Sequence, residues 1–409
     1  MFRESDSTLG QAVINHRVAI AITLIVSVLS FFLHLKWCGS MMQLEESVFS
    51  EILSIHQDGY PFAARYLTTT SIILMSGLGL TIKSSYFLLQ YTLMVFLGLV
   101  FYRYLLALDF SKNLANLGLF VLLSSYPVLA AYIEPVHTWD DLWAHSFLVL
   151  SFTSLMRSNP TGGLIWFAGA CFAREQSLLF LPVFLIAIHR FCHVQTPWRI
   201  ILFGAIPLVV IGVIHALAWQ TPEPGQFSLF GFNFESPLRT SDTLFSLFIS
   251  FGFMWFLVLI GLLRRRDSEE NQLLYWGTII TVPLTIIIVL FFARARETRL
   301  FFPPFIFVIP ICVMALKSIY ANLTARLTRS GWILALAVFV VFMAVGIVAG
   351  QAAFPEFEYR RCPNFQRLWA GIHFGLILNL AACTMLWGLS GLAPGGKSAP
   401  DPTIDRSAS

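Results

Sequence analysis

Apolar runs of about 15–24 residues alternate with short polar connections along almost the whole chain. The first covers about 18–35, and others follow at about 84–107, 113–132, 141–157, 161–175, 177–192, 199–219, 242–263, 272–292, 300–319, 331–350 and 368–391. A straight crossing of a bilayer takes roughly 20 apolar residues, so the pattern predicts about twelve crossings, several of them short. Between the first two runs lies a polar stretch, roughly 36–66, in which Leu44, Val48, Ile52 and Ile55 recur at helical spacing. That spacing predicts an amphipathic surface helix over Met41–His56, with Glu46 turned away from the apolar side and Glu45 nearer to it. Residues 67–82 are apolar but short and rich in Thr and Gly, and read as interfacial or re-entrant.

The composition agrees with the pattern. Of 409 residues, 57% are hydrophobic and 12% charged, and 39 Phe and 11 Trp suit lipid-facing and interfacial positions. The expected fold is therefore all-α: a polytopic helical membrane protein of about 11–13 transmembrane helices, one transmembrane domain over 1–391 with an outer loop at 36–83. The tail 392–409 is rich in Gly, Pro and Ser and reads as disordered. A net charge of +4 is accounted for by basic cytoplasmic loops and argues for no nucleic-acid partner. The six cysteines show no metal spacing; Cys38 and Cys362 are both expected outside, but nothing pairs them.

Basic residues in the short loops orient the chain. With the N-terminus inside, Arg103, Lys112, Arg157, Arg190, Arg199, the run Arg264, Arg265 and Arg266, Lys317, Arg326 and Arg329 are cytoplasmic, and so are both termini. Arg174, Arg294, Arg296 and Arg299 then fall on the outer side, against the bias. Guanidiniums placed there need a reason, and capture of an anion such as a phosphate, whose oxygens match the Arg fork, is the simplest. Acidic or mixed clusters on the same side are Glu45–Glu46, Asp140–Asp141, Arg174–Glu175 and Arg294–Arg299.

Three stretches carry a resemblance to the GT-C superfamily of membrane glycosyltransferases. They are the acidic pair followed by GYPFAARYL (59–67), FAREQSLLFLPVFL (172–185), and ETRLFFPPFIFVIP (297–310). The resemblance implies transfer of a sugar from a polyprenyl-phosphate donor to a lipid or glycan acceptor on the periplasmic side of a bacterial inner membrane. It implies Glu46 as the base that takes the acceptor's proton, with Glu45 in reserve, where the family usually has Asp. Such a base must lie within hydrogen-bond reach of the acceptor hydroxyl, and positive charge must meet the departing phosphate. Arg174, Glu175, Arg296, Glu297 and Arg299 are the expected phosphate-binding group, with Arg65, His137 and Arg294 as further candidates. Asp140 and Asp141 either position the acceptor, or bind a divalent cation such as Mg or Mn, or cap the helix that follows them. A rival class, a transporter or flippase of a lipid-linked anion, needs the same arginines without a base. A catalytically inactive subunit of the same fold is the third reading.

Overall fold

The computed structural model describes residues 17–29, 32, 45–58, 66–133, 140–217, 230–263, 269–293, 298–353 and 363–391. They form helices and connecting turns, with no strand among the described residues. The expected disordered tail, both cysteines of the outer pair, and Arg65, His137, Arg294, Arg296 and Glu297 lie outside them.

Helices α1 (Arg17–Leu29), α2 (Glu46–Asp58), α3 (Tyr66–Gly77) and α4 (Ile82–Ala107) open the chain. There follow α5 (Lys112–Ser124), α6 (Tyr126–Ile133), α7 (Asp141–Met156), α8 (Pro160–Ala173), α9 (Leu181–Phe191), α10 (Pro197–Leu217) and the short α11 (Phe230–Phe234). The rest are α12 (Pro237–Phe251), α13 (Met254–Leu263), α14 (Glu269–Phe292), α15 (Phe305–Arg326), α16 (Arg329–Ala353) and α17 (Pro363–Gly391). Two 3-10 turns, Glu175–Phe180 and Thr298–Phe301, lead into α9 and α15.

Six helices are long and apolar enough to cross a membrane, those within α4, α10, α14, α15, α16 and α17; α12 and α13, bent by 60° at their junction, make a seventh if taken as one crossing. The chain is a polytopic helical membrane protein, but the expected count of about twelve continuous crossings is not met among the described residues. The apolar stretches are present; their helical continuity is not. The run 113–132 is cut at Ser125, whose ψ of 142° is extended. Pro127 lies two residues on, and a proline there has no N–H for the carbonyl of Leu123 and crowds it. The run 177–192 opens as a 3-10 turn because Pro182, in the first turn of α9, imposes the same restriction. Helices α7 and α8 contain 16 and 14 residues, and α3 contains 12, about 18 Å of rise against a hydrocarbon core of about 30 Å. In α12–α13 the break falls on Gly252, whose φ of 49° favours glycine, and a Cβ there would run into the His373 ring of α17.

Helix ends leave N–H and C=O groups without partners inside the helix, and side chains satisfy several of them. Thr81 accepts from Ser84 N–H at 3.1 Å to start α4, Asn159 accepts from Gly162 N–H at 2.9 Å to start α8, and Ser236 accepts from Arg239 N–H at 3.2 Å to start α12. At the far end of α14, the Asn233 side-chain amide donates to the carbonyls of Leu290 and Ala293, at 2.8 and 2.9 Å.

The core gathers around Phe307 of α15. Its ring meets Phe152 of α7 edge-on at 5.0 Å and Phe180 at 5.9 Å, and it lies so close over Gly277 of α14 that a Cβ there would fall 2.5 Å from the ring. Helix α4 packs along α7, α8 folds back on α7, and α15 is flanked by α5, α13 and α14. Helices α4 and α15 have over half of their most apolar stretch buried, whereas α10 and α16 have only 11%, so the first two are interior and the last two face outward.

Candidate active site

Four charged side chains from three separate segments meet at the N-terminal end of α7. Asp140, Asp141, Arg174 and Arg299 are 1%, 1%, 4% and 6% exposed. One carboxylate oxygen of Asp141 pairs with Arg174, and the other accepts from Arg299 Nη1 at 3.0 Å. Charges this deeply withdrawn from water persist only when paired; here the Asp141 carboxylate bridges two guanidiniums, and Asp140, beside it in the chain, brings the formal charge of the four to zero.

Local structure delivers each member. Arg174 ends α8 in an extended conformation, φ −157° and ψ 126°, while its N–H still bonds Ala170. The Ser177 hydroxyl turns back onto the same Ala170 carbonyl at 2.9 Å and holds the reversal into the 3-10 turn. Arg299 sits in the turn forced by Pro303 and Pro304 at the entry to α15, and Ser250 of α12 donates to the Thr298 carbonyl at 3.3 Å. Asp141 occupies the first turn of α7, where a negative charge suits the helix dipole.

Asp140 does not cap its own helix, contrary to one expectation for it. Its Oδ1 instead accepts from both the backbone N–H and the hydroxyl of Thr68, at 3.0 and 2.6 Å, and so satisfies a first-turn donor of α3. Nearby aromatic contacts follow the same lines: Tyr66 stacks on Phe172 at 6.2 Å, joining the start of α3 to the end of α8.

The glutamates expected as base and reserve belong to another element. Glu46 is exposed at the first turn of α2, and its Oε1 accepts from Lys83 N–H at 3.2 Å, in the first turn of α4. Lys83 follows the C-terminal end of α3, whereas Thr68, at the Asp140 site, is near the other end. The nine residues from Thr68 to Gly77 rise on the order of 14 Å. The carboxylate serves the Lys83 N–H at a helix start, where an anion is stabilised. Glu45 is also exposed, ahead of α2, with Ser47 donating to it at 3.4 Å. The surface helix is real but rotated by about one residue: Phe49, Ile52, Leu53 and His56 are buried, and Ile55, expected on the apolar side, is 48% exposed.

Glu175 is half-buried, next in chain to Arg174. Arg65, His137, Arg294, Arg296 and Glu297 lie outside the described residues. A divalent cation does not fit the pair of aspartates, because both oxygens of Asp141 already face guanidiniums. No cluster of three or more His, Cys, Asp or Glu suited to a metal occurs among the described residues. An open depression of about 530 Å3, lined by Phe234, Glu235, Ser236, Pro237, Thr240, Ser241 and Leu244, includes none of the four charged residues.

Two participants escape a reading of the sequence. Thr68 is one of three consecutive threonines, and nothing in the pattern separates it from its neighbours. His145 is 3% exposed, stacked on Phe302 with ring centroids 3.6 Å apart, and bonded through Nδ1 to the Asp141 carbonyl. Its signal is present: a lone imidazole four residues after Asp141 shares that residue's helix face within an apolar run.

Comparison with known protein families, with characterised proteins and with solved structures finds no match for this chain.

Proposed function

We propose that the chain is an integral membrane glycosyltransferase that moves a sugar from a polyprenyl-phosphate-linked donor to a lipid or glycan acceptor. It works on the periplasmic side of a bacterial inner membrane, with both termini cytoplasmic. One observation carries the reading. Segments separated by 33 residues and more in the chain, each chosen for the chemistry that this reaction requires, meet at a single aspartate. In this reading Arg174 and Arg299 receive the donor's phosphate and balance the charge that grows on it as the glycosidic bond breaks. Asp141 holds both guanidiniums at fixed spacing, and Asp140 ties the site to α3 through Thr68.

The reading is tested with purified protein in nanodiscs, supplied with undecaprenyl-phosphate-linked hexoses and an extract of bacterial membrane lipids. Release of undecaprenyl phosphate with labelling of an acceptor is the expected result. Arg299→Lys, which keeps the charge but loses the fork, should cut turnover by roughly tenfold or more. The transporter reading draws on the cluster's formal neutrality and burial, which a structural or gating ion pair would share. Passage of the intact donor across the nanodisc protein reconstituted in vesicles, with no sugar transferred, would decide for it.

A further inference from the structure

In the glycosyltransferase reading a base is required, and Glu46 stands at a helix start away from the charged cluster. We propose that His145 is that base, its Nε2 taking the proton of the acceptor hydroxyl. This inference rests on the function proposed above and deepens it.

The geometry of the ring carries the assignment. Nδ1 lies against the Asp141 carbonyl oxygen, and a carbonyl can only accept, so Nδ1 carries the hydrogen. Nε2 is then the lone-pair nitrogen of a neutral imidazole. It is buried and has no hydrogen-bond partner among the described residues. A buried acceptor left without a donor is costly, by about 1–3 kcal/mol, and native proteins keep few of them without a reason. The ring is also held firmly. It stacks on Phe302 with planes 16° apart, and Phe302 follows Arg299 by three residues on the same turn into α15. The carbonyl that orients Nδ1 belongs to Asp141, whose carboxylate bridges Arg174 and Arg299. One residue thus orients the imidazole through its backbone and the two guanidiniums through its side chain. A base fixed by a hydrogen bond from its other nitrogen is the arrangement in which imidazole takes protons from hydroxyls.

The step balances as follows. The acceptor oxygen forms the new bond to the sugar's anomeric carbon. The bond from that carbon to the phosphate oxygen breaks, and its electron pair leaves with polyprenyl phosphate toward the arginines. The hydroxyl proton passes to Nε2, giving an imidazolium that returns it to water when the products depart.

The test uses the full chain in nanodiscs, with undecaprenyl-phosphate-linked hexoses for turnover and undecaprenyl phosphate alone for binding. His145→Gln should lower kcat by roughly two to four orders of magnitude. Its affinity for undecaprenyl phosphate should stay within about twofold of wild type, since the phosphate is held by other residues. Imidazole added to His145→Ala should restore part of the rate, more so for imidazoles of higher basicity. Turnover of His145→Gln within threefold of an active wild type overturns the inference and leaves the glycosyltransferase reading standing. Equal loss of phosphate binding and turnover overturns it too, since it marks His145 as a packing residue. A wild type that consumes no donor removes both readings together. If His145→Gln does not fold, Phe302→Leu takes its place: released from its stack, the ring should give about a tenfold lower kcat at unchanged KM, and an unchanged kcat rejects the base.

Discussion

Helices α16 and α17 meet through glycines, whereas α7, α8 and the turn before α15 meet through one carboxylate and two guanidiniums. In the first region Gly346 and Gly350 of α16 lie against Gly371 and Gly375 of α17. A methyl group on Gly350 would fall 2.5 Å from Gly371 Cα, and one on Gly371 would fall 2.8 Å from Ile347 Cα. Each helix carries its pair at four-residue spacing, so one face of each is bare backbone and the axes close up. Lipid tails are as apolar as Leu, so burial of apolar side chains does little to drive such an association; dispersion between closely fitted surfaces does more. The second region can rely on neither mechanism. Its members are expensive to bury singly and are stable only as a set. The glycine contact is thus a sum of many weak and tolerant interactions, and the charged contact is one interaction with three obligatory parts.

The difference can be broken first at its strong end. Asp141→Ala should leave two buried guanidiniums without their shared partner and cost about 3–5 kcal/mol, seen as a large loss of thermal stability in detergent. Replacing Asp141, Arg174 and Arg299 together with Leu, Met and Met should recover most of that stability while abolishing turnover. If the triple variant stays as unstable as Asp141→Ala, the cluster is not the self-contained set described here. Thr68→Val removes the hydroxyl that donates to Asp140 but keeps the backbone N–H bond. The expected cost is about 1.5–3 kcal/mol, because the acceptor is a carboxylate, with turnover lowered as α3 loosens.

At the glycine contact Gly346→Ala should part the two backbones and cost about 1–3 kcal/mol by overpacking, with kcat and KM unchanged because no member of the charged site is touched. A kinetic defect in that variant would show that the two regions are coupled after all. The smallest effect is expected at Glu46→Gln. Loss of an exposed anion at the start of α4 should change stability by less than about 1 kcal/mol, and turnover should stay within twofold. A loss of several orders of magnitude would restore Glu46 as the base and displace His145.

Much of this was legible before any coordinates. The apolar runs declare a helical membrane protein, and the arginines expected on the outer side, against the loop bias, included Arg174 and Arg299. The adjacent aspartates at 140 and 141 were equally visible, because charge in an apolar chain is conspicuous. The two glycine pairs are written plainly too, as GIVAG (346–350) and GIHFG (371–375), though only their facing each other gives them meaning.

Other features depend on what the segments meet in space. Apolar length measures what lipid or protein interior will accept, not whether a helix runs unbroken, so Ser125 and Gly252 could divide runs that look continuous. The phase of α2 was set by Phe49 and Leu53 finding a surface, which turned Ile55 outward and Glu46 toward Lys83. Periodicity fixes a helix face only to within about one residue, and one residue is 100° of rotation. The sequence by itself determined the class of protein and the residues too costly to bury without a partner. Only the tertiary structure decided the partners, giving both oxygens of Asp141 to arginines and Asp140 to Thr68, and leaving Nε2 of His145 open, because a partner is a matter of distance and distance along the chain does not measure it.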